Sequence, residues 1–313
     1  MSRFDALLII SFGGPERRDE VIPFLENVLR GRGVPQERLL EVADHYYFFG
    51  GRSPINDQNR ELIAELRKVV GIPIYWGNRN WHPMLADTVR RMRDDGIRRA
   101  IAFATSAFGS YSGCRQYFEN IQCARAEVGE GAPEIVKMRP FYAHPAYVEA
   151  MTDRVRAAVD ELPGARLVFT AHSIPVSMAQ SSPYTEELEA ASRRVADAVG
   201  VRDWKLVYQS RSGPPAQPWL GPDICHYLRE IHTDTVIAPI GFLSDHMEVK
   251  YDLDTAARAV CDQLGVRMVR ARTVGTHPAI IRMIAELIEQ QPEPCAATCC
   301  PAPQPRPSPA ISR

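Results

Sequence analysis

The sequence predicts an α/β protein built on parallel sheets, and three observations lead there. Short apolar runs alternate with longer segments of helical period, the pattern that builds strand–helix–strand units. Most runs are nearly continuous in apolar character, as strands covered on both faces must be. The alternation runs through the chain twice, and 313 residues is about twice the usual domain length of roughly 150.

In order, the strand candidates are 6–11 (ALLIIS), 72–76 (IPIYW), 99–105 (RAIAFAT), 166–170 (RLVFT), 205–209 (KLVYQ), 235–240 (TVIAPI) and 266–270 (VRMVR). Amphipathic helices are expected at 57–70, 86–95, 145–162, 184–199 and 245–264. One half closes near 139–144 and the other opens with the helix ahead of Arg166. This gives lobes 1–145 and 146–290, then a Pro/Cys-rich tail 291–313. Proline recurs too often in that tail for helix or central strand. No sequence repeat is visible, so the likeness of the lobes is one of topology.

Composition narrows the function. Hydrophobic residues are 45% and charged ones 24%, which excludes a largely disordered chain. A formal charge of −1 builds no field for polyanions, so nucleic acid is not an expected partner. No run approaches the roughly twenty apolar residues of a membrane span, and an integral membrane segment is not expected either. Seven cysteines are an odd number, which argues against a fully paired secreted framework and for a cytoplasmic setting.

Ligands of open α/β sheets bind beyond the carboxyl ends of the strands. That rule selects 12–14, 106–117, 171–173, 210–215 and 241–248. Dinucleotide, Walker, zinc-protease and nucleophile-elbow motifs are all missing from the sequence. His172, two residues past a strand in FTAHSIP, can change protonation near neutral pH or bind a transition metal. It reads equally as a hydrogen-bonded loop histidine. Glu248 and Asp252 are four apart on one helix face, with Asp245 one turn earlier. Such a row suits a divalent cation and accepts protons, or it is a solvated face at a helix N-terminus. Trp219, in the same loop as Arg211, suits a planar anionic ligand, or packs between the lobes.

Seven segments in register, SFGGPE, LRGRGVP, GGRSPIN, SYSGCRQY, FTAHSIP, YQSRSGPPAQPWL and GFLSDHMEVKYDLD, resemble the ferrochelatases. These lyases of haem and porphyrin biosynthesis insert Fe²⁺ into a porphyrin. The resemblance implies two Rossmann-like lobes flanking a porphyrin cleft. It makes His172 and Glu248 the catalytic and iron-binding pair, with Asp252 behind them on a proton route. It puts porphyrin contacts at Ser53, Tyr117 and Arg30, with Phe12 and Trp219 beside them. Histidine and glutamate are expected on opposite rims of one flat slot. The LRGRGVP segment and the lack of a membrane-seeking insertion resemble enzymes that use coproporphyrin III, whose four propionates Arg30 and Arg32 could receive. Protoporphyrin IX insertion and a non-catalytic porphyrin or haem carrier are the alternatives, and a monomer is expected. Two departures stand out. Phe12 occupies a position where some soluble relatives have tyrosine, and Ala256 interrupts an acidic row that others continue. Finally, the tail resembles those members that carry a [2Fe–2S] cluster. Cys295, Cys299 and Cys300 supply three thiolates, and Cys114, with Cys123 as rival, the fourth. Reduced tail thiols are the bland alternative.

Overall fold

The computed structural model describes residues 4–31, 34–213, 216–290, 295–296 and 298–302. Arg32, a candidate propionate partner, lies outside the described residues. Two four-stranded parallel sheets form the frame. The first contains β1 (Ala6–Ser11), β2 (Ile74–Asn78), β3 (Arg99–Ala104) and β4 (Glu134–Lys137). The second contains β5 (Arg166–His172), β6 (Trp204–Gln209), β7 (Thr235–Ala238) and β8 (Met268–Arg270). Their orders, β2-β1-β3-β4 and β6-β5-β7-β8, are the same pattern written twice. All pairings are parallel, with Leu7 opposite Ile74 and Ile101, and Leu167 opposite Trp204 and Val236.

β4 is a strand that the sequence does not advertise. It is four residues at a sheet edge, with a glutamate at one end and a lysine at the other, too short and polar for an apolar run. His172 closes β5 rather than following it, because the ladder to β6 continues as far as Gln209. The expected helix 245–264 is three pieces: an α turn Met247–Val249, a π segment Lys250–Ala257 and an α-helix Arg258–Leu264.

Alternation along the strands decides the packing. Leu7 and Ile9 of β1 face one apolar cluster, and Leu8 and Ile10 face another. Leu167, Phe169 and Ala171 of β5 enter the same cluster as Leu7 and Ile9. The inner faces of both sheets therefore share one core, filled out by Tyr147, Leu188 and Ile284 from helices Pro145–Glu161, Tyr184–Val199 and Pro278–Glu289. Each fully buried Leu, Ile or Phe contributes about 1.5–3 kcal/mol by leaving water. This shared packing holds the carboxyl ends of β5 and β6 in fixed relation to β1 and β3.

Candidate active site

The catalytic candidates of the second lobe converge. His172 Nε2 lies 3.4 Å from Glu248 Oε1, although 76 positions separate them in the chain. They stand side by side, which corrects the expectation of opposite rims: no slot passes between groups in contact. A shared position follows from the topology, since β5 delivers His172 and the connection after β7 delivers Glu248 to the same sheet end. Both side chains remain open to an incoming ligand, with 31% and 45% of their surface exposed.

The surroundings fix the orientation of both groups. His172 Nδ1 donates to the Ser173 carbonyl at 2.5 Å, which leaves Nε2 for Glu248. The Tyr184 hydroxyl donates to the His172 carbonyl at 3.0 Å. On the other flank, His246 caps the helix turn: its Nδ1 accepts the Glu248 backbone N–H at 3.2 Å. That ring also stands 3.8 Å from Glu248 Oε2, so the carboxylate has an imidazole on each side. The sequence offers no clear signal for His246, since histidine is not among the usual helix N-cap residues.

Electrostatics separates the two imidazoles. Burial opposes charge on His172, but Glu248's charge and hydrogen bond, the Ser173 carbonyl and Asp252 outweigh it, raising the group to about 9. Burial also opposes charge on Glu248, and His172 and His246 overcome that penalty, holding it at about 2. His246 is lowered by burial, with Glu248 pulling it upward and His172 pushing it down. The resting centre is therefore an imidazolium–carboxylate pair beside a neutral imidazole.

Asp252 sits one turn further along the π segment. Its carboxylate accepts the Ser210 hydroxyl and lies 3.5 Å from Gln209 Nε2, which also donates to the Glu248 carbonyl at 3.2 Å. Ser210 has φ 62°, a left-handed backbone unusual for serine, and this turn aims its hydroxyl at Asp252. Burial, with help from the Glu248 charge and against the Ser210 hydrogen bond, raises Asp252 to about 6. Asp245 is not part of this row. It lies ahead of the helix and pairs with Arg270 at 3.0 Å. π segments occur preferentially at functional sites, and this one sets the spacing of the acidic row.

The first lobe presents a different surface. Phe12 follows β1, is 37% exposed and meets Phe24 edge-on at 6.3 Å. The Arg79 guanidinium lies 5.9 Å from the Phe12 ring and 4.5 Å from the Tyr117 ring, and donates to the Ser112 carbonyl at 3.1 Å. Tyr117 is buried beneath it. Ser53 is buried against Gly14, where an added Cβ would stand 2.7 Å from the serine Cβ. Arg30 is exposed and lines a cavity of about 590 Å³ with Glu26, Asn27, Trp81 and His82. Trp219 pairs with Pro175, two residues beyond Ser173, and covers Gly213, where a Cβ would collide with the indole at 2.3 Å. The structure thus gathers His172, Glu248 and Asp252 tightly, and distributes Phe12, Ser53, Tyr117 and Arg30 over the first lobe.

A second cluster forms where the tail returns. Cys114, buried in the turn Tyr111–Arg115, hydrogen-bonds with Cys295; Cys295 meets Cys299; and Cys299 Sγ lies 3.5 Å from Cys300 Sγ. Cys123, nine residues along the chain from Cys114, is exposed, whereas Cys114 is buried. The Cys114 bond, reinforced by Lys137 and Arg139 against burial, lowers the Cys295 thiol to about 5. Burial, then Cys299, raises Cys300 to about 12. Four sulfurs in series beside two cations have the donor chemistry of an iron–sulfur site. As they stand, no three His, Cys, Asp or Glu side chains among the described residues enclose a metal ion.

A doubled parallel α/β frame with an imidazole and a carboxylate at one sheet end is a chelatase-like architecture. Solved structures share the frame: SirB from Bacillus subtilis with Fe³⁺ superposes with a TM-score of 0.53 at 13% identity, covering 91% of this chain and 93% of that one. DR2241 from Deinococcus radiodurans, a multi-domain protein with structural similarity to chelatases, gives 0.54 at 14% identity over 92% of this chain and 55% of its own. At sequence level the ferrochelatase family model matches residues 4–292. The chain belongs to the ferrochelatase family. It is 53% identical to a ferrochelatase of Rhodopirellula baltica, over 92% of this chain and 86% of that protein. It is 47% identical to a coproporphyrin III ferrochelatase of Nocardia farcinica, over 97% of this chain and 98% of the relative. A Streptomyces coelicolor protein of the same name is 48% identical, over 98% and 96%.

Proposed function

We propose that this ferrochelatase inserts Fe²⁺ into coproporphyrin III, with His172 and Glu248 as the metallating pair. The 3.4 Å contact between them at the end of the second sheet carries the reading. The relatives named coproporphyrin III ferrochelatase supply the substrate. Residues 1–145 and 146–290 act as the two walls of the cleft, so one polypeptide suffices for the reaction. No helix among the described residues is long and apolar enough to cross a membrane. The setting we propose is the cytoplasm, where thiols such as those of the tail stay reduced.

Metallation replaces two pyrrole protons with one Fe²⁺. Nδ1 of His172 keeps its proton on the Ser173 carbonyl, so the exchangeable proton is the one on Nε2 facing Glu248. As iron arrives, that proton passes to bulk water through the exposed mouth of the site, and Nε2 and the Glu248 oxygens would serve as donors to the substrate iron in place of its water. Asp252, near 6, is ionised at neutral pH yet basic enough to take a proton, and it relays the two leaving the macrocycle to bulk water one after the other. Phe12 and Trp219 offer flat apolar faces to the ring. Arg30 receives a propionate by a charge-assisted bond, and Ser53 and Tyr117 shape the floor behind it.

Anaerobic protein with Fe²⁺ should metallate coproporphyrin III faster than protoporphyrin IX. Stoichiometric binding of metallated porphyrin without turnover would instead identify a carrier. We further propose that Cys114, Cys295, Cys299 and Cys300 hold a [2Fe–2S] cluster. A bound cluster supplies a one-electron couple and a cross-link between tail and first lobe. Anaerobically purified protein should then contain equal iron and sulfide, and Cys300→Ser should bleach it.

A further inference from the structure

We infer that Gln58 is a positioning residue for metallation, which fastens the Glu248 segment to the first lobe. Gln58 is half-buried on helix Ile55–Leu66, which begins two residues after Ser53. Its amide meets the backbone of Asp245 in both directions. Gln58 Nε2 donates to the Asp245 carbonyl at 2.8 Å, and the Asp245 N–H donates to Gln58 Oε1 at 2.8 Å. An amide side chain offers a donor and an acceptor side by side at any pH, whereas an ionised carboxylate only accepts, and asparagine is one methylene too short to reach from the same backbone.

Asp245 is a junction. While its backbone is held from the first lobe, its carboxylate is held from the second by Arg270, whose guanidinium is clamped in turn by Asp254. One residue later, His246 caps the Glu248 N–H. The far end of the segment is gripped too. Tyr251 stacks on His45 of the first lobe with centroids 3.6 Å apart and planes 14° from parallel, and the Lys250 ammonium lies 5.8 Å from the Phe49 ring. Glu248 belongs to the second lobe by sequence, but contacts at both ends of its segment reference it to the lobe that carries Phe12 and Ser53. A carboxylate that must meet iron over a ring seated on the first lobe needs that reference, since a misplacement of about 1 Å costs on the order of a hundredfold in rate.

This inference rests on the reading of His172 and Glu248 as the metallating pair, and its test includes a readout independent of turnover. Wild type, Gln58→Ala and Gln58→Glu are compared for Fe²⁺ insertion into coproporphyrin III and for amide hydrogen exchange. Gln58→Ala should lower kcat about tenfold with KM for the porphyrin within about twofold, because ring binding and iron delivery are separated. Gln58→Glu keeps the acceptor and loses the donor, so its kcat should fall in between. Exchange at residues 246–251 should accelerate about tenfold in Gln58→Ala, with strands β1 and β5 and the melting temperature unchanged. Unchanged kcat with unchanged exchange overturns the inference. So does a joint fall of kcat, porphyrin affinity and melting temperature, which marks a merely structural role. An inactive wild type removes the metallation reading, and exchange then decides whether the fastening exists.

Discussion

The two sheets have the same strand order but opposite chemistry at their carboxyl ends. The first ends in Phe12 and two glycines, with Ser53 and Tyr117 buried behind them and an arginine lying over aromatic rings. The second ends in two imidazoles flanking one carboxylate, with a second carboxylate and its serine linked to them through Gln209. A duplicated frame has thus been given one face that suits a flat apolar body and one that suits a cation and its protons. Topology determines where the loops converge, and the side chains in the loops determine what each half does.

If that division of labour is right, substitutions in the two lobes should affect different kinetic constants. The largest effect is expected from His172→Ala, which should reduce kcat about a thousandfold while porphyrin binding survives, measured by steady-state insertion and fluorescence quenching. Phe12→Ala should do the reverse, raising KM several-fold with kcat within about twofold, since it removes ring contact and no donor. Equal effects of both variants on kcat would erase the distinction.

The smallest effect concerns stability, and its sign follows from the pair itself. His172, raised from 6.5 to about 9, stabilises the fold fully below about pH 6.5, and that contribution is lost as pH rises through about 9. Glu248, lowered from 4.5 to about 2, stabilises it fully above about pH 4.5, and that contribution is lost as pH falls through about 2. These are two views of one ion pair, whose partial exposure keeps its contribution small. The melting-temperature gap between wild type and Glu248→Gln should be widest between about pH 4.5 and 6.5 and narrow toward pH 9. A gap independent of pH would show that the pair is not charged at rest.

Much of this arrangement was legible in the amino-acid order. Alternation of apolar runs with helical segments gave the doubled sheet, and strand ends located His172 and Glu248. What escaped was whatever depends on distant partners. Asp245 looks like a member of the acidic row until Arg270, twenty-five residues later, claims its carboxylate. The π segment is hidden from a reading based on a period of 3.6, because only its hydrogen bonds distinguish it. Cys114 and Cys123 are equivalent as letters, and the return of the tail separates them. Side-by-side contact of His172 and Glu248, in place of facing rims, was likewise invisible until both connections were placed.

The apolar cluster that joins Leu7 and Ile9 to Leu167 and Phe169 carries one more consequence. Neither half owns a complete interior, so excision of either would leave a sheet with a bare greasy face, and heat should melt the chain in a single cooperative step. Nor can the halves swing apart like jaws without tearing that seam. Whatever yields to admit a large flat guest must therefore be the rim, and the frame beneath it stays still.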